Sequence, residues 1–189
     1  MKKSMILGIS LIVLGLTFSL SKYLITKKSK DIEENIIDEF TELLYNKENE
    51  TSNILESYES LTSEFLGYIE IPSLKIKKLI KEGVSEEILK NSIGLVQNGA
   101  SLDSNIGNIV LAGHDTENIF KSLYEIKVGE EIFIVTHKKI YKYIVKSTKI
   151  ISKNDVEILN NYNNKLEVNL ITCIDNGENR FVVNAIKGL

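Results

Sequence analysis

The sequence predicts a mainly β domain, a closed barrel or sandwich with short helices, preceded by an apolar membrane helix and an acidic helical stalk. Three observations carry this reading. The last two thirds of the chain holds many short runs rich in Ile, Val and Tyr, several alternating apolar with polar. The N-terminus holds an uncharged apolar run. Charge falls into three regimes, with +6 over residues 1–30, −10 over 31–64 and +1 over 65–189. These give the expected boundaries: anchor 1–30, stalk 31–64 and main domain 65–189.

The run from Met5 to Ser21 is uncharged and dominated by Ile, Leu, Val, Gly, Met and Phe. It reaches the lower length limit for crossing a bilayer. Lys22 can snorkel, so Tyr23, Leu24 and Ile25 extend the span. Lys2 and Lys3 supply the positive start of an uncleaved anchor, the expectation adopted here. Ser19 and Ser21 have the spacing of a cleavage site, so removal after Ser21 is the alternative. The run has no polar face, which argues against a buried core helix. Lys22, Lys27, Lys28 and Lys30 follow the span, and by the positive-inside count they oppose export of the main domain.

Beyond it, Ile32, Ile36, Ile37, Phe40, Leu43 and Leu44 recur at helical spacing. After a polar break at Asn46–Asn53 the pattern resumes with Ile54, Leu55, Tyr58, Leu61 and Phe65. The other faces are acidic, as in an amphipathic helix packed on the main domain or a partner-binding coiled coil.

Candidate strands in the main domain are Leu66–Ile71, Leu74–Ile80, Asn108–Ala112, Glu131–His137, Ile140–Lys146, Leu166–Ile174 and Phe181–Lys187. Ser85–Asn91, Glu117–Tyr124 and Asn154–Asn160 read as short helices. Thr136–Tyr141 bends a hairpin.

A 43% hydrophobic content excludes wholesale disorder, and a net charge of −3 excludes a strongly basic nucleic-acid binder. One cysteine rules out an intrachain disulfide and a four-cysteine zinc site. Two histidines and one cysteine on separate segments make no metal set, so no metal ligands are assigned. Of 23 basic residues only Arg180 is arginine. A chain that meets every other basic position with lysine needs a reason for one guanidinium.

Cys173 ends the apolar run Leu170-Ile171-Thr172-Cys173. A polar loop, Asp175 to Asn179, separates it from Arg180-Phe181-Val182-Val183. In a hairpin the thiol and the guanidinium lie close together. His114 follows the buried run Asn108-Ile109-Val110-Leu111-Ala112-Gly113, where a rigid strand end presents a functional group. His137 sits at a hairpin tip and reads as structural. A thiol, an imidazole and a guanidinium suffice for acyl transfer, as nucleophile, proton donor and acceptor, and oxyanion partner. Two other readings stay open from these residues. One is a secreted cysteine peptidase that gives its acyl-enzyme to water. The other is an anchored binding module with an inert thiol.

The order of these motifs resembles the sortases, cysteine transpeptidases on the surface of Gram-positive bacteria. Gly67-Tyr68-Ile69-Glu70-Ile71-Pro72-Ser73-Leu74 resembles the opening strand of the family. Asn108 to His114 is similar to its histidine strand, Leu170-Ile171-Thr172-Cys173 to its nucleophile signature, and Arg180-Phe181-Val182-Val183 to its arginine strand. The resemblance covers about residues 65–189. It implies an eight-stranded sortase-type β-barrel with His114, Cys173 and Arg180 as catalytic residues, and Thr172 and Arg180 as substrate-binding residues. It implies cleavage between Thr and Gly of a C-terminal sorting signal of the form Leu-Pro-any-Thr-Gly through a thioacyl-enzyme. The surface protein then passes to an amine of a cell-wall peptidoglycan precursor. No organic cofactor is required; some sortases use calcium, which the residues leave undecided. It also implies a single-pass membrane protein with a cytoplasmic N-terminus and an extracellular catalytic domain. No second apolar span follows Leu189, no Asp-Pro lid motif precedes Gly67, and the stretch Lys149–Lys165 is short. These departures favour a housekeeping or spore-associated relative, with a lean to the D class.

Overall fold

A computed structural model describes residues 2–45, 63–116, 119–161 and 165–188. The chain divides into two compact units, Met1–Glu39 and Phe40–Leu189. Helix α1 runs without interruption from Lys2 to Tyr45, across the charge boundary at residue 30. Residues 8–30 are exposed along their whole length. The stretch Gly8–Glu42 is long and apolar enough to cross a membrane. The polar break expected at Asn46–Asn53 and the helical pattern from Ile54 to Leu61 lie outside the described residues.

The second unit is a closed barrel of eight strands: β1 (Gly67–Ile71), β2 (Ile76–Glu82), β3 (Ile93–Leu95), β4 (Gly107–Gly113), β5 (Glu131–Thr136), β6 (Ile140–Ser152), β7 (Leu166–Ile174) and β8 (Asn179–Lys187). Around the barrel the order is β1-β2-β3-β4-β7-β8-β6-β5, and β5 pairs with β1 to close it. The β2–β3 and β4–β7 pairs are parallel and the others antiparallel. The closing seam needs Gly67. A Cβ there would lie 2.1 Å from the Val135 carbonyl oxygen, and φ is +152°. Next to it, Tyr68 receives the edge of Phe40, with ring centroids 6.4 Å apart.

Alternation sorts each strand into an inner and an outer face. The inner face supplies a core of Ile69, Ile71, Ile80, Ile93, Ile109, Leu111, Ile132, Ile134, Tyr143, Val168, Leu170 and Val183, all buried. Burying aliphatic side chains on this scale is the main term holding the barrel together.

The eight-stranded barrel agrees with the fold expected from the resemblance, and β7 occupies the residues read for it. Strand β3 was not legible. Strand β6 runs six residues past the expected Lys146, through a register shift between Val145 and Ser147. Of the expected helices, Ser85–Asn91 is a single turn, α2 (Glu86–Leu89), whose N-terminal N–H of Ile88 is accepted by Ser85 Oγ. Asn154–Asn160 contains only a 3-10 turn at Glu157–Leu159. The described part of Glu117–Tyr124 is turns that lead into a 3-10 turn at Leu123–Glu125.

The loop between β3 and β4 is tied to the β5–β6 hairpin by Asp103. Its Oδ1 accepts from Thr136 Oγ1 and Tyr141 Oη, each at 2.8 Å, and Lys138 Nζ lies 3.1 Å from Oδ2. Burial alone raises the Asp103 pKa. The hydrogen bonds from Thr136, Tyr141 and Lys138 outweigh it, so the carboxyl ends below its ordinary value of 3.8. A depressed carboxyl contributes stability that is present above its unfolded pKa and lost as pH falls through its folded one. In urea unfolding series, Asp103→Asn should cost about 1–3 kcal/mol at neutral pH, with the deficit shrinking as pH drops below about 4.

Candidate active site

The strand β7 fixes the geometry. Val168, Leu170 and Thr172 take the inner face, and Asn169, Ile171 and Cys173 the outer one. Parallel pairing aligns Gly113, the last residue of β4, with Thr172. His114 therefore leaves β4 at the level of Cys173. On the other side, Cys173 and Arg180 are direct cross-strand partners of β7 and β8. Directly opposed side chains have Cβ atoms about 5 Å apart. His114, Cys173 and Arg180 thus come together at one end of the outer face of β4–β7–β8.

Local packing holds each of them. A Cβ at Gly113 would lie 2.5 Å from Phe120 Cδ2 and 2.8 Å from Ile119 Cγ2. The glycine lets the chain double back under the histidine, and the Phe120 N–H donates to the His114 carbonyl at 3.1 Å. The imidazole is partly exposed, and its Nε2 lies 3.4 Å from Glu86 Oε1 on α2. The thiol of Cys173 is free and half-buried.

The loop joining β7 to β8 turns sharply through three residues of positive φ, Asp175 (52°), Asn176 (53°) and Gly177 (89°). Asn179 Nδ2 donates to Asp175 Oδ2 at 2.9 Å across it. Arg180 Nη1 donates to the Gly177 carbonyl at 2.8 Å and the Asn179 carbonyl at 3.0 Å. One nitrogen of the fork holds the guanidinium to the loop. The remaining N–H groups make no hydrogen bond to the described protein, so they are free to meet an oxyanion or a substrate carbonyl.

Thr172 does not join this face. It is 3% exposed among core residues, and its Oγ1 has no hydrogen-bond partner among the described residues. His137 lies in the turn between β5 and β6, away from the three strands. Among the described residues no group of three or more His, Cys, Asp or Glu side chains is placed to hold a metal.

Two features of the site were not legible in the sequence. One is Glu86, brought to His114 only by tertiary packing. The other is a ladder of asparagines at the far end of the same face. Asn184 Nδ2 donates to Asn169 Oδ1 at 3.1 Å, and Asn169 Nδ2 to Asn108 Oδ1 at 2.7 Å. Asn108 Nδ2 then donates to the carbonyls of Ile158 (2.8 Å) and Asn160 (3.0 Å). The loop between β6 and β7 is thereby fastened to the strands that carry the three reactive side chains. Polar residues at alternating positions in Asn108, Asn169 and Asn184 were the available signal.

A protein-family model described as Sortase domain matches residues 69–187, more than half of the chain. Sortase D of Bacillus subtilis is 27% identical over 132 residues, covering 67% of this chain and 66% of that protein. Sortase A of Listeria monocytogenes is 28% identical over 115 residues, covering 57% of this chain and 49% of that protein. A solved structure of a Clostridium perfringens Sortase D5 transpeptidase superposes with a TM-score of 0.68 at 26% identity, covering 84% of this chain and 99% of that one. The chain spans about half to two thirds of the length of these two curated relatives, and the class letter differs between them. The chain belongs to the sortase family.

If the fork of Arg180 is what the site needs, Arg180→Lys keeps the charge and loses the geometry. Its kcat/KM for a sorting-signal peptide should fall roughly 10²-fold with little change in Tm, as when one oxyanion donor is removed. Peptide cleavage and thermal melts on one preparation check this.

Proposed function

We propose that this protein is a membrane-anchored cysteine transpeptidase that cleaves a C-terminal sorting signal and joins the released end to an amine. The single observation that carries the reading is the register of β4, β7 and β8, which gives His114, Cys173 and Arg180 one face and one end. Membership of the sortase family supports it.

The chemistry follows from the three groups. The Cys173 thiolate attacks the threonine carbonyl carbon of a signal resembling Leu-Pro-any-Thr-Gly. Arg180 takes the charge that develops on the carbonyl oxygen, while its Nη1 bonds to the loop keep the fork in place. The carbon–nitrogen bond to glycine breaks, and imidazolium His114 gives its proton to the leaving amine. A thioester to Cys173 remains. An amine of a cell-wall peptidoglycan precursor then attacks it, His114 takes the proton back, and the thiolate leaves with a new amide formed. Thr172 shapes the pocket from behind, through the packing of β7. No organic cofactor enters these steps, and assays with and without a chelator read any calcium effect.

The apolar helix anchors the protein, with its N-terminus in the cytoplasm and the barrel outside, where sorting signals and wall precursors meet. The similarity to Sortase D and to the Sortase D5 transpeptidase favours the D class for this chain.

Product analysis tests the reading. The full chain in detergent micelles is incubated with a library of sorting-signal peptides, with and without an added amine. A transpeptidase gives the peptide-amine conjugate as main product when the amine is present, and Cys173→Ala gives none while melting as the wild type does. Hydrolysis alone, at a rate the amine does not change, marks a peptidase. No product with any peptide overturns the proposal.

A further inference from the structure

The Glu86 carboxylate approaches the reactive face, and neither the motifs nor the proposed chemistry use it. It opens α2, a turn whose backbone is well held although the carboxylate itself is solvent-exposed. Ser85 caps the turn, the Ser92 hydroxyl donates to the Ile88 carbonyl at 2.7 Å, and Leu89 and Val84 pack close against Gly94 of β3. Because β3 pairs with β4, this turn is fixed next to the end of the histidine strand. Glu86 Oε1 then lies 3.4 Å from His114 Nε2. That nitrogen is screened from solvent and has no hydrogen-bond partner among the described residues, so the approach of the Glu86 carboxylate is the polar contact it has there.

An acid at the start of a helix ordinarily complements the N-terminal N–H groups. In a four-residue turn that effect is small, and it does not explain the contact with the imidazole. The other charged or titratable groups on elements packed around His114 are Glu87 and Lys90 of the same turn, Asp115 and Lys121 of the segment that folds back, Cys173 of β7 and Arg180 of β8. Of these groups, Glu86 is the one seen within 3.4 Å of the ring.

We infer that Glu86 is a positioning residue for His114: its carboxylate, 3.4 Å from Nε2, fixes the orientation of the ring and leaves the other ring nitrogen for the acyl-transfer step. The inference rests on the reading of His114 as proton donor. The pair is exposed on the Glu86 side, so its effect is modest and sensitive to salt.

The test uses the full chain in detergent micelles. The chain has only two histidines, so the His114 and His137 imidazole C–H resonances are separable by NMR, with His137→Gln for assignment. At one fixed pH, Glu86→Gln should shift the His114 ring resonances while those of His137 and Tm stay unchanged, and Glu86→Asp should restore part of the shift. Glu87→Gln should move the His114 resonances less, and molar salt should shrink the difference between wild type and Glu86→Gln. In peptide cleavage, Glu86→Gln should lose roughly two- to five-fold in kcat with KM little changed. His114 resonances that are the same in wild type and Glu86→Gln, or that move equally in Glu87→Gln, overturn the inference. The NMR readout needs no substrate. A protein that shows the shift but cleaves no peptide overturns the proposed transpeptidase and leaves the Glu86–His114 pairing standing. A protein that cleaves while the His114 resonances stay put overturns only the role of Glu86.

Discussion

The site depends on the register of β7 between two different neighbours. Parallel pairing with β4 aligns Thr172 with Gly113, and antiparallel pairing with β8 aligns Cys173 with Arg180. Side chains alternate with a period of two, so a slip of one residue would turn Cys173 into the core and bring Thr172 out. The register is enforced by the buried inner face, where Val168 and Leu170 sit among Ile109, Leu111 and Val183. The placement of His114, Cys173 and Arg180 is therefore set by the same hydrophobic packing that stabilises the barrel.

The outer face of these strands solves a second problem. Asn108, Asn169 and Ser92 are buried polar residues, and a buried amide without partners is costly. The asparagines satisfy one another across three strands and fasten the loop between β6 and β7. At the other end of the face His114, Cys173 and Arg180 are left partly open: the Phe120 N–H anchors the histidine segment, and the Gly177 and Asn179 carbonyls anchor Arg180. One end of the face is closed by the asparagine ladder, and the other stays partly open.

Much of this was legible in the sequence, for identifiable reasons. Strand β7 alternates and is strongly apolar, so its limits are clear. The single arginine and single cysteine mark themselves by rarity, and Gly113 before His114 marks a close approach that Phe120 fills. Strand β3 was not legible because Ile93-Gly94-Leu95 is too short to show a period and sits after the polar turn of α2. The second half of β6 was hidden by Ser147-Thr148-Lys149 and by the irregular register that shifts its alternation. Glu86 could not be found from sequence because its link to His114 runs through the β3–β4 pairing. Thr172 precedes Cys173 in the chain, and because adjacent residues in a strand face opposite sides its side chain lies among the core residues.

Cys173 is proposed as the nucleophile of a site completed by His114 and Arg180. Intact-protein mass spectrometry after mixing the full chain with a cleavable sorting-signal peptide tests it most directly. The expected result is a mass gain equal to the acyl fragment, located on the Cys173-bearing peptide after digestion, which disappears on adding an amine and is sharply reduced in His114→Ala and Arg180→Lys. An adduct on any other residue, or the same adduct at the same rate in both variants, would contradict it.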